Sequence, residues 1–352
     1  MLITILFFLS SGLFLGWSLG ANDAANVFGT AVGSKMLKFT TAAIICGVFL
    51  ILGAVISGAG ASHTLGKLGS INTLSGAFTV ALAAAITVFV MTKACLPVST
   101  SQAIVGAIIG WNIYAGYETN LNVVSKIVAT WFLCPILAAA FSIVGYIIAR
   151  WILHHSKIHL FRLDSHIRVG LIIAGAFGSY SLGANNIANV MGVFVNSSPF
   201  TSITLFGYVF SSTQQLFLLG GLAIAVGVYT YSKRVMMTVG SKIYALSPMT
   251  ALVVVISSSM VLFIFASQGL QELFISAGIP PIPLVPVSSS QAVVGAVLGI
   301  GLVKGGRNVN FAILGKISIG WIATPIIASI ITFVALFFMQ NVFMNQVYVP
   351  PM

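Results

Sequence analysis

The sequence predicts an all-α polytopic membrane protein of two inverted-topology repeats, each with about five crossings and broken or re-entrant helices, and with both termini outside. Three observations carry this expectation: the composition, the placement of the basic residues and an internal duplication. Of 352 residues, 59% are hydrophobic and 5% are charged, whereas a soluble globular domain carries about 25% charged residues. Such a chain is not a soluble protein. Ten crossings of about 20 residues use roughly 200 residues, which leaves no room for a catalytic domain outside the membrane. The balance of 15 Lys+Arg against 4 Asp+Glu, a net +11, therefore reads as a topology signal. Nucleic acid is excluded as a partner, because no soluble domain exists to carry a basic face.

The elements follow in order. Intact apolar segments lie at about 2–19, 39–57, 74–92, 122–149, 169–184, 201–229, 249–267 and 311–339, and two more, about 95–114 and 283–303, are interrupted by Pro, Gly and Ser. The first run lacks a basic n-region and a cleavage site, so it is read as a membrane element and not as a signal peptide. Counting the broken segments as crossings and placing the N-terminus outside sends 12 of the 15 basic residues to the cytoplasmic side. Only Lys67 falls in an outer loop, and Lys126 and Lys316 lie near crossing starts, where they snorkel. That asymmetry fits the positive-inside rule. Cys46, Cys95 and Cys134 lack metal or redox spacing and read as small buried hydrophobes.

The duplication is the most informative feature. GANDAANVFG at Gly20 to Gly29 recurs as GANNIANVMG at Gly183 to Gly192, an offset of 163. PVSTSQAIVGAIIG at Pro97 to Gly110 recurs as PVSSSQAVVGAVLG at Pro286 to Gly299, an offset of 189. Lys126, Trp131 and Pro135 recur as Lys316, Trp321 and Pro325, at 190. Three matches in one order mean a duplicated chain, and five crossings per half make the second copy inverted. Residues 1–149 form the first repeat and 169–352 the second. The stretch 150–168 is a basic cytoplasmic linker, whose four His residues read as a headgroup-facing loop and not as a metal site. Inverted repeats around broken hydrophobic segments are characteristic of secondary transporters, with the substrate site near the midplane between the repeats.

Asn22, Asp23 and Asn26 interrupt an apolar segment. An ionisable group at membrane depth costs several kcal/mol unless it is paired or faces a polar cavity, so Asp23 is expected to have a function. Gly20 and Gly29 permit unwinding or close approach of another backbone. One carboxylate, amide oxygens and exposed carbonyls are what a hard cation such as sodium needs. The second motif pair supplies helix starts rich in hydroxyls and amides. A helix N-terminus with free N–H groups beside such donors suits an anion. Together the motifs suggest a cation-coupled transporter of a small oxyanion. An intramembrane hydrolase would need a second catalytic Asp, an H-E-x-x-H helix or a Ser/His pair at depth, none of which the sequence has. An oxyanion channel is the less favoured alternative, since two inverted motifs in one chain suit alternating access.

GANDAANVFGTAVGS, GANNIANVMG and the PVSTSQAIVGAIIG and PVSSSQAVVGAVLG pair resemble the signature motifs of the inorganic phosphate transporter family, which also includes sulfate permeases. The resemblance covers essentially the whole chain. It implies an inverted-repeat fold and uptake of phosphate, or alternatively sulfate, by symport with sodium or protons, sodium being favoured, across the plasma or inner membrane without a further cofactor. It places Asn22, Asp23, Asn26, Asn185, Asn186 and Asn189 at the cation centre. Ser99, Thr100, Ser101, Gln102, Ser288, Ser289, Ser290 and Gln291 would hold the anion. Three positions depart from the family pattern: Asn186, Met237 and His63 stand where acids are usual. Phosphate retains a P–OH donor that wants an acceptor, so fewer carboxylates tilt the balance slightly toward sulfate and toward fewer bound cations. His63 reads as an interfacial histidine before a proton-coupling group. The expected surroundings are the lipid bilayer, with assembly as a homodimer left open.

Overall fold

The structure is a computed structural model that describes residues 2–93, 98–156, 159–205, 207–238, 246–305 and 311–350. Pro97 and Cys95 lie outside them, as do Lys157, Lys242 and Arg307, three of the twelve basic residues expected on the cytoplasmic side, and the side chain of Lys316. The first half comprises α1 (Leu2–Gly33), α2 (Phe39–Ser57), α3 (Ala59–Leu68), α4 (Leu74–Lys93), α5 (Thr100–Ala115) and α6 (Leu121–His155). The second comprises α7 (Leu160–Met191), a 3-10 turn (Gly192–Phe194), β1 (Ile203–Leu205), β2 (Tyr208–Phe210), α8 (Ser212–Thr238), α9 (Pro248–Ala266), α10 (Gln268–Ser276), α11 (Ser289–Val303) and α12 (Phe311–Asn341).

Among the described residues, 8 helices are long and apolar enough to cross a membrane: α1, α2, α4, α6, α7, α8, α9 and α12. These are the eight intact apolar segments. The count of ten is thus not met by ten membrane-length helices. The two broken segments appear as α5, of 16 residues, and α11, of 15 residues, each about 24 Å long or less at the rise of an α-helix, short of a hydrocarbon core of about 30 Å. Hydrophobicity alone also misjudges several ends. The segment expected from 201 begins with the antiparallel β1–β2 hairpin, and its helix starts at Ser212. The 150–168 stretch is largely helix: α6 continues to His155 and α7 begins at Leu160. The expected headgroup-facing loop shrinks to the few residues between them. Arg168 and Asp164 form an exposed i,i+4 pair at 3.8 Å within α7.

Motif-bearing α1 and α7 run unbroken through their polar residues. Of the two roles foreseen for Gly20 and Gly29, close approach is realised at Gly20, and the helix is unwound at neither. A Cβ on Gly20 would fall onto the Ile224 carbonyl of α8, and one on Gly227 onto the Trp17 carbonyl of α1. The same exchange recurs between α2 and α7, with Gly183 against Leu50 and Gly53 against Tyr180. Small residues let backbones touch where lipid offers no hydrophobic drive for association. Side-chain bonds reinforce these seams: Trp17 Nε1 donates to Thr230 Oγ1 at 3.0 Å, and Ser57 and Tyr180 share a hydroxyl bond of 2.7 Å.

A second layer repeats the exchange. α5 packs along α12, and α11 along α6. Only 17% of the apolar window of α6 and 22% of that of α12 is buried, against 72% for α4 and 67% for α9. The former pair thus forms the outer, lipid-facing wall, and the latter lies inside. The C-terminal segment after α12 returns across the start of α4. Asn72 bonds both backbone groups of Val349, at 2.9 and 3.0 Å, while Trp111 Nε1 donates to the Val347 carbonyl at 3.0 Å and Ser75 donates to that of Gln346.

Candidate functional site

Four elements converge in the interior. α1 carries its Asn-rich motif in its C-terminal half and α7 carries its own in its last two turns, and α5 and α11 begin beside them, each preceded by extended residues. Ser99 and Ser288 are extended N-cap residues whose hydroxyls accept from the N–H groups of Gln102 and Gln291, at 3.4 and 3.3 Å. Capping by Ser is the ordinary reason for this residue at a helix start. Here it also leaves the first-turn N–H groups, at positions 100–101 and 289–290, ahead of the intrahelical ladder and free for a ligand.

The two helix starts grip each other. Ser101 donates to the Val287 carbonyl at 3.0 Å, and Ser290 donates to the Val98 carbonyl at 3.4 Å. Each pair is the counterpart of the other in the duplicated sequence. Asn185, fully buried, clamps Val287 from both sides, with Nδ2 donating to its carbonyl at 2.7 Å and Oδ1 accepting from its N–H at 2.9 Å. Asn189 donates to Ser101 Oγ at 2.8 Å and to Asn186 Oδ1 at 3.3 Å.

Asp23, 6% exposed, stands at the crossing of these networks. Its carboxylate accepts from Ser289 Oγ at 2.6 Å, from Asn186 Nδ2 at 3.2 Å and from Asn22 Nδ2 at 3.3 Å. Asn26 Nδ2 donates to Ser289 Oγ at 3.3 Å. The contact between Asp23 and Asn186 is where the two duplicated motifs meet. A second Asp at 186 would set two carboxylates face to face at this distance, tolerable only with a cation or proton between them. The amide of Asn186 instead donates a hydrogen bond.

A small polar pocket is lined by Asp23, Val98, Ser99, Thr100, Ser101, Asn186, Ser288, Ser289 and Ser290. Its walls meet so closely that no water-sized space remains, so an oxyanion enters only if a wall moves. Every predicted site residue lies in or against this cluster, but the cation and anion sets interleave: Ser289, from the anion set, bonds Asp23. Gln102 and Gln291 lie behind the pocket wall, each 1% exposed. Their Oε1 atoms have no hydrogen-bond partner among the described residues. The carbonyls of Val98 and Val287 were missed, since every residue has one and a sequence does not mark which will be exposed at a helix start. His63 is exposed on α3, and Met237 lies in the last turn of α8, both apart from the pocket. No group of three or more His, Cys, Asp or Glu residues suited to a metal ion occurs among the described residues.

Four likenesses to known proteins bear on this site and fold. A sequence profile described as the phosphate transporter family matches residues 19–164, 159–332 and 273–350. The chain is 28% identical over 396 residues to a protein of Pyrococcus abyssi provisionally named a phosphate permease, covering 91% of this chain and 94% of that one. It is also 28% identical over 329 residues to the sulfate permease CysP of Bacillus subtilis, covering 91% and 84%. Among solved structures, one titled "The sodium-dependent phosphate transporter" superposes with a TM-score of 0.75 at 23% identity, covering 96% of this chain and 99% of that chain. The similarity of fold thus spans nearly all of this chain.

Proposed function

The chain belongs to the phosphate transporter family, a family of multi-pass membrane transporters and not of enzymes, and from that premise we propose that it imports inorganic phosphate by symport with sodium, through alternating access between two inverted repeats. The repeats are 1–149 and 169–352, joined by 150–168, with both termini outside. Support comes from the reciprocal packing of their counterparts: α1 on α8 as α2 on α7, and α5 on α12 as α11 on α6. The names of the relatives, phosphate permease and sodium-dependent phosphate transporter, favour the same substrate and ion.

One observation carries the chemistry. A single buried carboxylate and two serine-capped helix starts line one pocket. The oxyanion is held by the first-turn N–H groups and hydroxyls of positions 99–101 and 288–290, and the cation by Asp23 with the amide oxygens of Asn22, Asn26, Asn185, Asn186 and Asn189. Cation and anion then enter together because each offsets the charge the other brings into a dry site. With the Asn186 amide donating to Asp23, one position that would demand a second cation is already neutral, so the coupled charge per cycle is low.

Sulfate is the second reading. It is favoured by the absence of any carboxylate but Asp23 from the pocket lining, since sulfate has no proton to donate, and by the likeness to CysP. Purified protein in liposomes, given labelled phosphate under an inward sodium gradient, is expected to concentrate it above the outside level. Equilibration without accumulation indicates a channel and ends the symport reading.

A further inference from the structure

The repeated Trp of the third motif pair is absorbed neither by the pocket nor by the helix seams. Trp131 Nε1 and Trp321 Nε1 are buried donors without a hydrogen-bond partner among the described residues, as Gln102 Oε1 and Gln291 Oε1 are buried acceptors without one. Register brings these four groups into two pairs. A Cβ on Gly106 would strike the Pro325 backbone, and one on Gly110 the Ser329 backbone. Rising numbers meet rising numbers, so α5 and α12 run parallel. One turn earlier on both helices stand Gln102 and Trp321. Likewise Gly295 abuts Pro135 and Gly299 abuts Ala139, which sets Gln291 level with Trp131 on α11 and α6. On parallel helices the side chains lean the same way, toward the helix start.

Each seam therefore holds one orphan donor and one orphan acceptor at the same level, on the side where the pocket lies. Buried polar groups are rarely left unpaired, and leaving them so is costly. We infer that Trp321 and Trp131 are positioning residues, whose indole N–H groups take the amide oxygens of Gln102 and Gln291 and so turn the amide N–H groups toward the bound oxyanion. A glutamine amide is nearly symmetric in shape, and only its partners decide which end faces a ligand. Turned the wrong way, it would present an oxygen to an anion. With the oxygen engaged, the pocket end of each glutamine offers donors alone.

The inference rests on the transport reading and is tested with it in proteoliposomes, with labelled phosphate and labelled sulfate as probes. Trp131→Phe and Trp321→Phe keep an aromatic ring but remove the N–H. Each is expected to raise the KM of the transported oxyanion about tenfold to a hundredfold, the order of one lost hydrogen bond to a charged ligand, with maximal rate and sodium dependence little changed. Adding Trp131→Phe to Gln291→Leu is expected to have no further effect on KM, whereas adding it to Gln102→Leu multiplies the two effects. A Trp that only fills space would multiply in both backgrounds, and that result, or an unchanged KM in the single variants, overturns the inference while leaving transport standing. Wild-type protein that accumulates neither ion overturns the transport reading and this inference together. Should the Phe variants not fold, the indole 15N–H resonances of wild-type protein decide: Gln291→Leu is expected to move that of Trp131 and leave that of Trp321 in place, and no movement refutes the pairing.

Discussion

Asp23→Asn exchanges one oxygen for an NH2 in a side chain that accepts hydrogen bonds on both oxygens. If the new amide replaces Oδ2, it faces the Asn186 donor at 3.2 Å; if it replaces Oδ1, it faces the Asn22 donor at 3.3 Å. Asn22 is only partly buried and can swing away, so the second arrangement wins. The cost to folding is then about one hydrogen bond, roughly 1 kcal/mol. The effect on a cation is larger. A unit charge about 4 Å from a carboxylate gains about 4 kcal/mol at an effective dielectric constant near 20, roughly a thousandfold in affinity. Retaining a neutral oxygen ligand recovers part of this, which leaves a loss of at least about a hundredfold. The expected variant is folded but uncoupled: nearly unchanged thermal stability without sodium, no sodium-induced rise in Tm, and no concentrative uptake into liposomes. Full accumulation with an unshifted sodium requirement would refute the assignment of the cation to Asp23.

Further expectations concern its neighbours. Asn186→Asp places a second carboxylate against Asp23, so the sodium dependence of uptake should become steeper and uptake at low sodium should fall; an unaltered sodium curve speaks against the account of Asn186 as a neutral substitute. Asn185→Leu leaves the Val287 N–H without its acceptor and the Val287 carbonyl with Ser101 as its remaining side-chain donor, at a cost of about 1–3 kcal/mol, which a thermal unfolding scan should register as a fall in Tm. Gln102→Leu combined with Gln291→Leu should raise the oxyanion KM about a hundredfold or more while sparing sodium, as read by parallel titrations of each ion. Removing residues 346–352 strips the acceptors from Ser75 and Trp111 and should lower Tm with transport kinetics little changed; loss of uptake at full stability would give this segment a part in the cycle.

Much of the fold was legible because long apolar runs leave a helix as the way to satisfy their backbone in lipid. The eight membrane-length helices follow from that rule. α3 and α10 were not foreseen: each is short and continues almost directly from a longer helix, so no change of composition marks it. The ends of α6 and α7 also ran past the apolar runs, because Arg150 and Arg162 are good helix formers once outside the hydrocarbon. At the site, duplication pointed to residues that the structure brings together, since Asn22 to Asn26 and Asn185 to Asn189 recur as a polar break in an apolar helix. What it did not reveal was their division of labour. Asn185 serves Val287 and Asn189 serves Ser101, bonds between residues about a hundred positions apart that no local pattern encodes. The C-terminal strap was hidden for the same reason, as Asn72 recognises backbone and not a side chain.

Gradient-driven uptake decides most directly whether the protein couples phosphate to sodium. Liposomes containing the purified protein are offered labelled phosphate and labelled sulfate, each under a sodium gradient, a proton gradient and neither. Phosphate accumulating above equilibrium under the sodium gradient, and collapsing when that gradient is dissipated, is the result expected. Accumulation of sulfate without phosphate, or phosphate entry that never exceeds equilibrium, contradicts it.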